Sequence, residues 1–108
     1  MSFRSPMDDL EDRLREMIDL LERCEEHYWA LRMSMALKGV EANRLGGVSQ
    51  VLATFGGEDT MSDLVVLGEW EAQDPERYLR ANRHLVQLRD SLFHLANGIS
   101  NSTARGGY

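Results

Sequence analysis

Residues 5–35 of the chain read SPMDDLEDRLREMIDLLERCEEHYWALRMSM, and this stretch decides the fold class. Ser5 and Pro6 have the residue types that favour the N-cap and the first position of a helix. Side chains spaced alternately three and four residues apart form one stripe along an α-helix. The pattern therefore predicts an amphipathic helix that begins at Pro6 and buries such a stripe. The stripe consists of Met7, Leu10, Leu14, Met17, Leu21, Cys24, Tyr28, Leu31 and Met35.

The length of this stretch predicts an interruption between residues 23 and 27. A straight helix over 6–38 would be about 50 Å long, since each residue adds about 1.5 Å, and that is long for so short a chain. Two alternatives stay open: two helices over about 6–24 and 26–38, or one long helix that packs in a dimer. Gly39 is the type of residue that often follows the end of a helix.

A second strong helical pattern lies near the other end of the chain. Asp74 and Pro75 suit an N-cap and a first helical position. The spacing of three and four residues then predicts a helix that ends near Gly98. Its apolar stripe consists of Tyr78, Ala81, Leu85, Leu88, Leu92, Leu95 and Ile99.

The segments between these helices are shorter and less regular. Helical spacing of apolar residues predicts a short helix within residues 41–55, despite Gly46 and Gly47. Residues 61–67 are apolar and are predicted to be helical, because the chain offers no second strand with which they would pair.

Two long amphipathic helices and shorter apolar pieces need a common core. We therefore predict an all-α fold, a compact bundle of four to five helices formed by residues 1–99, with a flexible C-terminal tail over 100–108. The regular spacing also suits a homodimer, but an intramolecular core is the favoured interpretation of both stripes.

The charge of the chain is unevenly distributed. The net charge is −6, and nine of the eighteen acidic residues lie between Asp8 and Glu26, together with three arginines. A nucleic-acid-binding protein is expected to carry a basic stripe, so direct binding of nucleic acid or of an anionic membrane is disfavoured. An acidic surface suits a basic protein partner. The N-terminus has no signal-peptide pattern, so a cytoplasmic location is expected.

Candidate catalytic and metal-binding residues lack the partners that they would need. Cys24 and His27 have a C-x-x-H spacing, but a zinc site requires two further ligands. His84 and His94 are ten residues apart, which separates them by about 15 Å along a helix. We therefore expect no metal, no cofactor and no catalytic residues, and hence no enzyme. An enzyme would need residues that only the fold brings together, such as His84 with Asp63 or Glu69.

Aromatic and basic residues supply the other candidate features. Tyr28 lies on the first stripe and is predicted to be in the core, whereas Trp29 lies at its edge and suits an interface anchor. Arg77, Arg80 and Arg83 form a modest basic strip, for which exposure to solvent is favoured over pairing with the acidic first helix.

Three short motifs carry a resemblance to known proteins. Phe55-Gly56-Gly57, Ser62-Asp63-Leu64 and Asn82-x-x-Leu85-x-x-Leu88-Arg89 resemble a pattern in a family of small bacterial helical proteins of unknown function. The resemblance covers roughly residues 10–96 and implies no catalytic residues.

In size, charge and class the chain also resembles the immunity proteins encoded beside secreted bacterial toxins. This resemblance implies a protein that binds and neutralises a cognate toxin, a basic domain, by occluding its active-site cleft. The rival hypothesis is a homodimeric structural or regulatory helical module without catalytic activity. The residues predicted to bind the partner are Asp12, Glu16, Asp19, Glu22, Glu26 and Trp29.

Overall fold

A computed structural model of the chain describes residues 5–55, 61 and 64–106, the last four of them as backbone only. Over these residues the fold is all-α, which confirms the predicted class. The helices are α1 (Pro6–Arg23), α2 (His27–Glu41), α3 (Leu45–Thr54) and α4 (Pro75–Gly106), and a 3₁₀ turn spans Gly68–Trp70.

The four helices form one bundle. α1 packs against α2 and α4, and α3 packs against the same two helices from the other side. All four contribute to one apolar core, and Met61 and Val66 of the α3–α4 connection complete it. The largest fully buried side chains are those of Leu10, Leu14, Met17, Leu21, Met33, Val40, Val48, Val51, Met61, Val66, Leu85 and Leu92.

The start of α1 is fixed by the capping residues that the sequence indicates. The Ser5 hydroxyl accepts a hydrogen bond from the Asp8 backbone N–H at 3.2 Å, and the Asp8 carboxylate accepts one from the Ser5 N–H at 3.1 Å. This reciprocal pair is a capping box with aspartate in the third helical position. Pro6 follows the cap, as predicted.

The predicted interruption separates α1 from α2, so the two-helix alternative is correct. The Glu25 N–H donates to the Glu22 carbonyl, and the Glu26 N–H donates to the Leu21 carbonyl at 2.8 Å. These two bonds define a Schellman motif, whose C′ residue has left-handed backbone angles. Glu25 occupies that position with φ of 62°. The turn therefore ends α1 at the cost of placing a non-glycine residue in a strained conformation.

The turn also changes which face of α2 meets the core. The buried residues of α2 are Ala30, Met33, Ala36 and Val40. Tyr28, which the stripe predicts in the core, is 61% exposed, so that prediction is wrong. The stripe predicts burial from one continuous helical phase, and the three residues between the helices reset that phase.

Gly39 does not end α2, contrary to the prediction, because α2 continues to Glu41. Its role is a close approach of two helices. A Cβ atom on Gly39 would lie 2.7 Å from the Gly47 Cα atom, and one on Gly47 would lie 2.5 Å from the Val40 backbone nitrogen. Two glycines thus allow α2 and α3 to meet backbone to backbone.

Residues 64–67 of the connection before α4 are neither helical nor extended into a strand, so the helix predicted over 61–67 is wrong for them. Met61 lies in a 3₁₀ turn, and residues 62 and 63 lie outside the described residues. Side chains of α4 form hydrogen bonds with the backbone N–H and C=O groups of this segment. The Asn82 amide accepts from the Val66 N–H and donates to the Val66 carbonyl, both at 2.9 Å. Arg89 donates to the carbonyl of Met61 at 2.9 Å. These bonds satisfy the backbone without a helix.

The C-terminal helix is longer than its apolar stripe. α4 runs to Gly106, past Ile99, and so enters the segment expected to be a flexible tail. Of the motif residues quoted above, Gly56, Gly57, Ser62 and Asp63 lie outside the described residues.

Candidate protein-binding surface

The acidic surface of the molecule lies on α1 and consists of Asp12, Glu16, Asp19 and Glu22. The core-facing side of α1 carries Leu14 and Met17, so helical geometry places these acids on the flanks and outer side of the helix. Glu16, Asp19 and Glu22 are exposed, and Asp12 is half-buried. Four of the six predicted partner-binding residues are thus on one helix.

Arginines on α1 form ion pairs within the acidic surface. Arg13 lies 2.6 Å from Glu16, Arg23 lies 3.1 Å from Asp19, and Arg15 lies 3.6 Å from Asp12. All these side chains are close to half exposed or more, and ion pairs of this kind contribute little to stability because water screens them.

Residues 8–26 as a whole stay negatively charged despite these pairs. Residues 8–26 contain nine acids and three arginines, which leaves six negative charges. The rest of the chain holds the other nine acids and nine basic residues, which cancel. The whole net charge of the protein therefore resides in α1 and the turn that follows it, and the electrostatic field of the molecule is directional.

Two side-chain contacts link α1 to α2. Arg15 donates to Glu11 at 3.2 Å and to Glu41 of α2 at 3.0 Å. The hydrogen bond to Glu41 is the main cause that raises the pKa of Arg15 above its ordinary value. At the other end, His27 Nδ1 lies 3.2 Å from Glu22. These contacts join α1 to the last residue of α2 at one place and to its first residue at the other.

Glu26, the fifth predicted residue, is the N-cap residue of α2 and is half-buried. It makes no side-chain cap hydrogen bond. A carboxylate at the start of a helix is favoured by the helix dipole, so Glu26 extends the negative potential of the acidic surface across the turn.

Trp29, the sixth predicted residue, is half-buried and packs against the core. Its neighbour Tyr28 is exposed, and the Tyr28 ring meets the Trp29 ring edge to face with centroids 5.0 Å apart. Arg32 donates to the Tyr28 hydroxyl at 2.9 Å, and its guanidinium lies within 6 Å of both ring centroids, at 5.8 and 5.9 Å. Tyr28 is therefore positioned as a rigid, exposed anchor.

An apolar face of α2 continues from Tyr28, and the spacing of apolar residues in the sequence does not predict that it is exposed. Tyr28, Leu31 and Met35 are 61%, 62% and 52% exposed and follow the three- and four-residue spacing of one helix face. Large exposed apolar patches mark interaction sites more often than isolated residues do. The predicted interruption could have indicated this face. A helix that begins again after a turn need not bury the side chains that continue the stripe of the helix before it.

The basic strip at the start of α4 is not paired with the acidic surface. Arg77 lies over the ring of Trp70, 4.9 Å from its centroid. With Arg23, Arg80 and others it lines an open cleft of about 550 Å³ beside Cys24. Among the described residues, no ion pair joins Arg77 or Arg80 to a carboxylate.

Cys24 lies at the base of that cleft and is buried. Burial raises the pKa of its thiol, and the positive charges of Arg23 and Arg77 oppose that rise. A thiol with a raised pKa is a poor nucleophile near neutral pH because little thiolate is present. Within the described part of the chain, no three His, Cys, Asp or Glu residues are grouped so that they would hold a metal ion.

Comparisons of the chain with protein families, with characterised proteins and with solved structures found no match. Over the residues that the structure describes, no helix has the combined length and apolar character that a membrane span needs.

Proposed function

We propose that the chain is an immunity protein, which binds a basic toxin domain through the acidic surface of α1 and neutralises it by covering its active-site cleft. The observation that carries this proposal is the location of the charge. Residues 8–26 account for the entire net charge of −6, and they form a helix that packs against the bundle through one side only.

The physical case rests on electrostatic complementarity. Enzymes that act on nucleic acids or nucleotides need basic clefts, because phosphates must be bound there. A rigid helix that carries carboxylates on its outer surface is complementary to such a cleft, speeds the encounter and excludes the substrate. The capping box and the contacts of α1 with α2 and α4 keep that helix ordered before binding, so little entropy is lost in the complex.

The exposed apolar face of α2 supplies the apolar contacts that an acidic surface lacks. Binding energy in protein interfaces is concentrated in a few aromatic and apolar side chains surrounded by polar ones. Tyr28 and Leu31 lie directly after the acidic turn, so we assign to them the role of apolar anchors. Trp29 then acts as the support that orients Tyr28.

The test uses the product of the neighbouring open reading frame, produced from an inducible promoter in a host without this chain. The wild-type chain is expected to relieve growth arrest and to bind the purified product. The double variant Glu16→Arg/Asp19→Arg is expected to lose protection and to bind at least about tenfold more weakly, because like charges then face each other.

The matched control is Glu69→Arg/Glu71→Arg, which changes the net charge by the same amount at exposed positions outside α1. It is expected to protect as the wild type does. Full protection by the α1 variant would show that the acidic surface is not the interface. An equal loss in both variants would show that only total charge matters, and a neighbouring product that is neither toxic nor bound contradicts the toxin assignment.

A further inference from the structure

A second apolar stripe on α4 faces away from the core. Leu79, Val86 and Phe93 are 49%, 43% and 43% exposed, and each follows the previous one by seven residues. Seven residues are nearly two helical turns, so these side chains lie on one line along the helix. The core-facing stripe of the same helix, which contains Leu85, Leu88 and Leu92, lies about 100–160° around the helix from Val86.

Two opposite charges alternate with these apolar residues. Arg83 and Asp90 are both exposed, and each stands four residues after one apolar residue and three before the next. Among the described residues neither forms an ion pair. They are about 10 Å apart along the same helix, too far to pair with each other. The stripe therefore presents one unpaired cation and one unpaired anion on an apolar line.

We propose that this stripe binds a second copy of the chain, with the two α4 helices antiparallel about a twofold axis at Val86. Leu79 and Phe93 are equally distant from Val86, so Leu79 of one copy faces Phe93 of the other. Arg83 lies three residues before Val86 and Asp90 four residues after it, on the same flank of the stripe. The same axis therefore brings Arg83 within one residue, about 1.5 Å along the helix, of the height of Asp90 of the second copy, and the two side chains can pair. The contact is isologous, as a twofold axis requires.

The pattern specifies this occupant because it is complementary to itself. In a parallel pair, each charge would lie at the height of its own copy, so neither Arg83 nor Asp90 would meet an opposite charge. Antiparallel pairing brings each charge near its opposite and buries the same apolar residues. A seven-residue repeat is also the period at which two helices stay in contact along their length.

The interface is separate from the surface proposed to bind a toxin. No residue of the acidic surface belongs to the stripe. The stripe is about 20 Å long from Leu79 to Phe93, shorter than a standard interface of about 800 Å² per partner would need. The dimer is therefore weak, and it forms at micromolar or higher concentration.

Sedimentation equilibrium with charge exchange tests the proposal. Arg83→Asp and Asp90→Arg, each alone, are expected to weaken the dimer at least about tenfold, since each leaves like charges facing across the axis. The double variant Arg83→Asp/Asp90→Arg is expected to regain most of that loss. A wild-type chain that stays monomeric up to submillimolar concentration overturns the proposal, and so does a double variant no better than the single ones.

Disulfide trapping tests the antiparallel arrangement directly, in a chain where Cys24 is replaced by Ala. Val86→Cys is expected to form a symmetric disulfide, because the axis brings the two residues together within bonding reach. Leu79→Cys alone is the matched control and is expected not to cross-link, whereas a mixture of Leu79→Cys and Phe93→Cys chains gives the mixed disulfide. Cross-linking of Leu79→Cys with itself but not of Val86→Cys overturns the antiparallel dimer.

The two proposals fail independently. Variants of the stripe that abolish the dimer are expected to bind and neutralise the toxin unchanged, because the acidic surface is intact. Circular dichroism checks that each variant is folded. The altered side chains of the stripe are all exposed, and the buried Cys24→Ala is common to every chain used for disulfide trapping.

Discussion

α1 and α2 carry one continuous pattern in the sequence and use it in opposite ways. In α1 the stripe is buried, and Leu10, Leu14 and Met17 are fully inaccessible to solvent. In α2 the residues that continue the same stripe are exposed, and a different face is buried. Periodicity predicts that a helix has an apolar face. It does not predict that a second helix, joined to the first by a turn, buries the residues that continue the same stripe.

The cause is the turn at residues 24–26. Its Schellman hydrogen bonds redirect the chain so that α2 packs back against α1. α2 can do this with small buried side chains, Ala30 and Ala36, which permit close packing against α1 and α3. The larger residues of the predicted stripe, Tyr28, Leu31 and Met35, are left on the surface.

The largest difference in stability is expected when one leucine of α1 and one leucine of α2 are each replaced by alanine. Leu14→Ala is expected to lower the free energy of unfolding by about 2–5 kcal/mol, because it leaves a cavity in the core. Leu31→Ala, at a 62% exposed position of the predicted stripe, is expected to change it by less than about 0.5 kcal/mol. Urea unfolding measures both. Equal losses would mean that the stripe is continuous after all.

A second comparison tests how α2 meets α3. Gly47→Ala is expected to cost about 1–3 kcal/mol or more, since the added Cβ would lie 2.5 Å from a backbone atom. Gly46→Ala is the matched control in the same helix, where a Cβ meets nothing within 4 Å. It is expected to be neutral or slightly stabilising, because alanine favours helix. A mild effect at Gly47, measured by thermal unfolding, would contradict the close packing of the two helices.

Substitutions just after the C-terminal ends of α1 and α2 are expected to change stability by less, and to raise it. Glu25→Gly is expected to stabilise the fold by about 1 kcal/mol, because glycine adopts φ of 62° without a Cβ clash. Asn43→Gly, at the equivalent position after α2 with φ of 58°, should give a smaller gain, since asparagine tolerates this conformation. Chemical denaturation of the two variants ranks them, and a destabilised Glu25→Gly would contradict the strained turn.

The smallest effect concerns pH and the last residue of the buried stripe before the turn. Burial raises the pKa of Cys24 above its ordinary value of 9.0, so the folded state holds its proton to higher pH than the unfolded state does. Stability from this group is therefore complete below about pH 9 and is lost as the pH rises toward the folded pKa. The wild type should lose more stability than Cys24→Ala between pH 8 and pH 10, measured by urea unfolding. Parallel losses would contradict a buried thiol.

Much of the candidate surface was predictable because charge is a local property. Glu16, Asp19 and Glu22 are exposed on α1, as the amphipathic pattern requires. The ion pairs with Arg13 and Arg23 follow from spacings of three and four residues on a helix. The pattern wrongly predicts that Tyr28 is buried. It also does not indicate the exposed stripe of α4, because the core-facing leucines Leu85, Leu88 and Leu92 give the same segment a stronger periodicity.

The connection before α4 shows a different limit. Residues 61–67 are apolar enough for a helix, and no local signal opposes one. Asn82 and Arg89 bind the backbone of this segment from α4, across separations of 16 and 28 residues. Contacts at such separations depend on the whole bundle being assembled, so they leave no periodicity in the sequence.

The sequence by itself determined the helical class, the start of α1 and α4, the place of the interruption and the location of the negative charge. These depend on propensity, capping and spacing, which act over a few residues. The tertiary structure decided which face of α2 is buried, why Gly39 faces Gly47, and how residues 64–67 are held. Each depends on the relative placement of two segments, which is set by turn geometry and close packing in three dimensions.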